Sequence, residues 1–350
     1  MKTFVLALAF ACVLPAQNSG AKSWDPKAAA AYLDGRMAWW AAWAPAARDH
    51  ETFCVSCHTS LPYALGRPAL RGALGEAGPS ADERRFLENV SKRVSLWDEV
   101  EPFYSDARNG APKSAEARGT EAVLNALILS RYDARAATDA LRRMWALQRT
   151  SGEKRGSWVW LNFHNEPWEA DDSEFWGASL AGLAAGLAPG GSESRENLAL
   201  LGGYLQREQE RQSTLNRAMA LWAAGRLTEL LQAAQRASIA VEILGRQRAD
   251  GGWSGSSLVT KEWKRRDGTP MDSASDGYGT ALMVVALEQS GLASAKAGIA
   301  KGVAWLKRNQ DASGAWLSTS MNKQRDPGSD AGRFMNDAAT GYAVEALRGR

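Results

Sequence analysis

Two stretches of this chain repeat one another, and that repetition limits the possible architectures more than any other feature. "VEILGRQRADGGW" (241–253) and "KGVAWLKRNQDASGAW" (301–316) each read as a helix ending in Gln, then three residues, then Gly-x-Trp. A looser copy with a longer loop is "LRRMWALQRTSGEKRGSWVW" (141–160). After each turn comes a variable loop and then an apolar segment rich in small residues: "EFWGASLAGLAAGL" (174–187), "GYGTALMVVALEQ" (277–289) and "TGYAVEAL" (340–347). The last two copies keep a common frame: Trp253 precedes Met271-Asp272 by 18 residues and Trp316 precedes Met335-Asn336 by 19. In both, a Thr (Thr280, Thr340) stands seven residues before a Leu, and "TEAVLNAL" (120–127) repeats that frame. Repetition at roughly 50 to 60 residues signals a stacked or closed array of supersecondary units.

Pairing each amphipathic segment with the small-residue segment that follows gives six helical hairpins, at about 25–75, 81–131, 134–187, 192–227, 228–290 and 294–348. No sustained period-two alternation competes with the helical reading. Six inner helices rich in Gly and Ala can approach around a narrow axis while the outer helices carry the amphipathic pattern. The expected fold is all-α, an α/α toroid of about six hairpins forming a single domain over 22–350. The Gln-x3-Gly-x-Trp turns at 241–253 and 301–316 resemble the QW repeats of the squalene-hopene and terpenoid cyclases. In that family the Gln caps one helix and bonds toward the next, with the Trp stacked beneath it.

Within the first hairpin lies "ETFCVSCHTS" (51–60), holding two of three cysteines and one of three histidines. Cys54-x-x-Cys57-His58 supplies two thiols at the spacing of the haem vinyl groups and an imidazole for the iron. The rivals explain less. A zinc site needs four ligands and no second Cys pair exists; a thioredoxin-like disulfide wants a βαβ context. A plain Cys54–Cys57 disulfide in a structural module leaves His58 to coincidence. A helix is expected just after His58, with Ser60 as cap and Pro62 in its first turn. With "CVSCHTSLPYALGRPALR" added to the QW-type repeats, the chain resembles exported bacterial proteins described as cytochrome c-like or squalene cyclase-like. That resemblance implies covalent haem c and a redox partner protein or small redox molecule.

The start of the chain suits export. Residues 1–21 have a Lys near the start, an apolar stretch from Phe4 to Leu14 and small residues after it, the shape of a secretory signal. Acylation of Cys12 as a lipoprotein is disfavoured by bulky Phe10 before it. The expected location is the periplasm or the exterior, with no transmembrane segment in the mature chain. A net charge of +3 and the absence of a sustained basic run argue against nucleic acid as partner.

Glu169-Ala170-Asp171-Asp172 precedes the third inner helix, where hopene-type cyclases carry an acidic D-x-D-D motif that protonates an alkene. Glu169, Asp171 and Asp172 are therefore the weak catalytic candidates, for an isoprenoid or for a sugar between paired acids. The competing reading is helix capping, because Glu116, Asp172, Asp276 and Asn336 recur at one place in the repeat. The cyclases' second helical barrel has no room in 350 residues, so electron transfer or redox sensing is the expected function. The alternative is a haem-bearing enzyme or binder with an isoprenoid, quinone or sugar in the toroid cavity. "WVWLNFHNEPWEADDSEFW" (158–176), with four Trp around His164, suits either loop packing or a pocket wall. As sixth iron ligand, the loop positions leave His164, Met271, Met321 and Met335, with His164 favoured over Met335.

Overall fold

The computed structural model describes residues 24–132, 137–188 and 195–350; the expected leader (1–21) and Cys12 lie outside them. Among the described residues twelve helices form six hairpins. The outer members are α1 (Pro26–Ala42), α4 (Ala81–Ser95), α7 (Ala137–Ala146), α9 (Arg195–Glu208), α11 (Ala233–Gly245) and α13 (Lys296–Arg308). The inner members are α2 (Ser60–Gly66), α6 (Lys113–Tyr132), α8 (Ser173–Leu187), α10 (Thr214–Ala224), α12 (Gly277–Gln289) and α14 (Phe334–Ala346). Short helices α3 (Arg71–Leu74) and α5 (Asp106–Asn109) lie in connections. Among the described residues the strands are a two-residue pair, β1 (Ala47–Arg48) and β2 (Thr52–Phe53).

The inner helices close a ring: α2 packs on α6, α6 on α8, α8 on α10, α10 on α12, α12 on α14, and α14 back on α2. The expected toroid of six hairpins is thus present in the packing of this chain itself. Four outer helices, α7, α9, α11 and α13, each lean on the inner helix of the preceding hairpin, α1 does so on α14, and α4 packs instead on α6 and α1. Inner helices are buried on nearly every side, as their all-round apolar sequences require. Small residues set the spacing at the seam between first and last hairpin. A Cβ on Gly66 would lie 2.2 Å from the Gly341 carbonyl oxygen, and one on Gly341 2.3 Å from that of Pro62.

The repeated turns explain themselves. The Gln310 amide donates to Gly314 O and Asp25 O at 3.0 Å and accepts from Asp25 N at 2.6 Å, tying α13 to the start of α1. Gln247 donates to Gly251 O and Gly298 O, and Gln148 to Gly156 O and Asn197 O. Each indole then donates to a carbonyl of the outer helix it follows: Trp158 to Met144, Trp253 to Ile243, Trp316 to Leu306. Gly314 is required twice over, by a φ of +89° and by the Ala28 carbonyl, which a Cβ would meet at 2.1 Å. The shared Thr accepts the Trp backbone N–H in the last two repeats, Thr280 from Trp253 and Thr340 from Trp316. Thr120 serves Leu161 of the following hairpin instead.

Aromatic side chains fill the interior. Tyr278 of α12 meets Tyr342 of α14 at 5.9 Å between ring centroids, and Tyr342 meets Trp222 of α10, across the ring, at 6.0 Å. Trp168, from the long third loop, closes on Tyr278 at 5.7 Å. A cleft of about 800 Å3 lies at the mouth between the fifth and sixth loops, away from this aromatic column. Among the described residues no helix is long and apolar enough to cross a membrane.

Candidate functional site

The C-x-x-C-H loop enters α2 at the mouth of the ring. Its backbone is held from several sides: Cys54 N donates to Ala46 O at 2.8 Å, and the Trp40 indole donates to Cys54 O at 2.6 Å. The helix begins at Ser60, with Pro62 in the first turn as expected. Its N-terminal amides are capped by Ser56, not Ser60: the Ser56 hydroxyl accepts from Thr59 N at 3.2 Å and Ser60 N at 3.1 Å. A hydroxyl reaching forward from within the motif was not separable from Ser60 by spacing alone.

Cys54 and Cys57 are buried, free thiols. Burial pushes the Cys54 thiol up to about 12, and burial with the Glu169 carboxylate nearby pushes Cys57 up as well. Neither has the lowered pKa of a redox-active thiolate. His58 is half-buried among aromatic rings: Phe334 stacks on its face at 3.8 Å, Trp40 meets it edge-on at 4.9 Å, and Trp168 lies at 6.1 Å. Burial, with the charges of Arg36 and Arg325, pushes this imidazole down to about 3, so it is neutral at physiological pH. Its Nδ1 is 2.8 Å from the Thr59 hydroxyl, which donates to Asp337 Oδ2 at 2.7 Å. Among the described residues no hydrogen-bonding partner engages Nε2.

Asp337 is a buried acid on α14, which accepts at Oδ1 from the Tyr32 hydroxyl and from Arg36 Nε, both at 2.8 Å. Burial pushes its pKa up, opposed by Arg36 and by the Thr59 and Tyr32 hydrogen bonds. Nothing near "CVSCH" in sequence announces it; the available signal was an acid inside the apolar run "NDAATGYAVEAL".

The long third loop spans the mouth. The Asn322 amide donates to Glu166 O at 2.7 Å, and Arg266 donates to Phe163 O at 2.7 Å, fastening the loop to those of the last two hairpins. His164 stands on its outer side with its side chain 72% exposed, and its Nδ1 pairs with Asp171 at 2.8 Å. Met335 lies in the first turn of α14 rather than in a loop, and is buried beside Phe334. Met321 is buried against Gly255, and Met271 lines the 800 Å3 cleft.

The acidic cluster separates by environment. Asp171 is exposed, and bonds from Asn162 and His164 hold its carboxyl below the usual range. It is a carboxylate, not a stored proton. Burial pushes Glu169 up to about 7, against Asn165 and Lys113, and pushes Asp172 up. Glu166, not singled out from the sequence, is buried and pushed up to about 8 by burial and by Asp172 and Asp171. The capping reading holds for one of its four residues. Asp276 accepts from Gly279 N at 2.9 Å at the start of α12. Asp172 occupies the N-cap position of α8, but its side chain makes no capping bond. Glu116 instead pairs with Lys113, and Asn336 accepts from Ser318 N. Among the described residues no three His, Cys, Asp or Glu side chains are grouped to hold a metal ion.

No protein-family model matches this chain, and no curated protein does. Among solved structures, the apo form of the type II terpene cyclase MstE from Scytonema is similar over 92% of this chain and 98% of that one, with 15% sequence identity and a TM-score of 0.48.

Proposed function

We propose that this chain is an exported c-type cytochrome-like protein whose toroid presents one covalently held haem for electron transfer or redox sensing. The observation that carries the reading is His58: a neutral imidazole with Nδ1 engaged and Nε2 free, directly following two free thiols of the attachment spacing. The donor set fits the group. Cys54 and Cys57 would hold the porphyrin by addition of each S–H across a vinyl group, a step with no net oxidation, and His58 would be the proximal ligand. Haem supplies one-electron chemistry when bound. The protein's own part is to orient His58 through Thr59 and to shield it with Trp40 and Phe334. Because both thiols are buried in the folded chain, attachment belongs to a stage before the loop docks.

As a second residue to hold the iron, His164 would be preferred over Met335. Leaving an exposed ion pair with Asp171 costs about 0–1 kcal/mol, whereas withdrawing a buried Met side chain costs about 1.5–3 kcal/mol. A partner, whether a redox protein or a small redox molecule, would meet this group at the mouth. The test is maturation with haem-attachment machinery, followed by acid extraction of the denatured protein. Haem should stay with the polypeptide, and Cys57→Ser should lose or weaken attachment; full extraction from wild-type protein ends the proposal.

The cleft at the mouth favours a second reading, a binder of a ligand with both polar and apolar faces such as a sugar, since Ser318, Thr319, Ser320 and Arg325 line it beside Met271 and Leu317. An apolar ligand within the toroid axis gains nothing from the structure, because Tyr278, Tyr342 and Trp222 pack there.

A further inference from the structure

We propose that Thr59 and Asp337 are positioning residues that fix which nitrogen of His58 is the ligand atom. The side chains form one chain of hydrogen bonds: His58 Nδ1 to Thr59 Oγ1 at 2.8 Å, Thr59 Oγ1 to Asp337 Oδ2 at 2.7 Å. The direction of that chain follows from hydrogen count. Asp337 faces one obligate donor, Arg36 Nε, and the Tyr32 and Thr59 hydroxyls, both of which donate to the anionic carboxylate. The adjacent guanidinium favours its anionic form. Thr59 has a single hydroxyl proton, spent on Asp337, so toward His58 it can only accept. His58 therefore carries its proton on Nδ1 and presents a lone pair at Nε2. A protonated Asp337 would reverse every bond in the chain and move the proton to Nε2, so the two cases are distinguishable.

The arrangement does more than select a tautomer. Through Thr59 the buried carboxylate pulls on the Nδ1 proton, which raises the electron density, and so the donor strength, of Nε2. Asp337 is anchored by Tyr32 and Arg36 of α1, and Arg36 also binds Asp330 through its side chain at 2.9 Å and its carbonyl at 3.0 Å. Three helices of the seam, α1, α2 and α14, thus converge on one imidazole. The effect on a bound iron rests on the haem reading above; the tautomer does not.

The two are tested separately on the full chain. In haem-free protein with nitrogen-15 histidine, long-range proton–nitrogen spectra should show His58 as the Nδ1–H tautomer, identified by its loss in His58→Gln. Thr59→Val should abolish that preference and Thr59→Ser should restore it. A wild-type Nε2–H tautomer, or a Thr59→Val spectrum like the wild type, overturns the proposal whether or not haem attaches. In haem-loaded protein, Thr59→Val and Asp337→Asn should raise the reduced-to-oxidised ratio at fixed poise about tenfold, which is 59 mV for one electron. Thr59→Ser should stay at the wild-type potential. Covalent haem with a potential unmoved by Thr59→Val overturns the electronic part, while failure of haem to attach overturns the function proposed above and leaves the tautomer result standing.

Discussion

Replacing Gly341 by Ala puts two opposing effects in one methyl group. Gly341 lies in the interior of α14, where Ala is favoured over Gly by about 0.5–1 kcal/mol. An uncrowded site would therefore be stabilised. Here the added Cβ falls 2.3 Å from Pro62 O, against the 3.0 Å below which real Cβ contacts are essentially never found. The α2 and α14 backbones must separate by at least the difference, 3.0 − 2.3 = 0.7 Å. The neighbour is backbone, so no side chain can swing away. Overpacking of a tight core costs about 1–3 kcal/mol, and backbone walls put this site toward the upper end. A net loss of about 1–2 kcal/mol remains after the propensity gain is subtracted. Gly203 is the control: it lies in outer helix α9 with nothing within 4 Å of its ideal Cβ, so Gly203→Ala should gain about 0.5–1 kcal/mol. Urea unfolding at constant m-value reads both. Gly341→Ala equal to or more stable than wild type would refute the close approach at the seam.

Gln310→Ala removes three hydrogen bonds, two of which join the last outer helix to the first, and should lower stability by about 1–3 kcal/mol in the same urea assay. A loss below about 0.3 kcal/mol is the result that contradicts the stapling role. Asp171 is already ionised and exposed, so incubation with squalene or shorter polyprenes should yield no cyclised product. Detecting one by mass spectrometry, and losing it in Asp171→Asn with circular dichroism unchanged, would reverse this assignment.

The ring was legible because its instructions are local and repeated. Gln310, Gly314 and Trp316 act within one turn and its immediate neighbour, so two copies of one spacing, and a third with a longer loop, report the same geometry. Ser56 and Asp172 show where local reading fails. Both sit near a helix start, and whether a hydroxyl or carboxylate caps it depends on the path of the loop, which spacing does not encode. Asp337 was hidden for a different reason: its link to Thr59 spans 278 residues and exists only because the array closes on itself. Glu166 shares that problem, since its burial comes from a loop laid over the mouth and fastened by Asn322.

The seam also sets an order of events. Each hairpin can dock on its predecessor as soon as some 50 to 60 further residues exist, but α14 must find α2 across nearly the whole chain. The entropy of that closure is modest: a separation about five times longer costs about 1.4 kcal/mol more than a neighbouring contact. Its timing is another matter, because the long-range contact gains nothing until the intervening array is in place. Asp337 reaches Thr59 only at that step. Before it the Thr59–Asp337 bond is absent; after it the imidazole is tied through Thr59 to α14. On the haem proposal, closure of the toroid would thus be a checkpoint, separating a chain open to attachment from one whose imidazole is held for the iron.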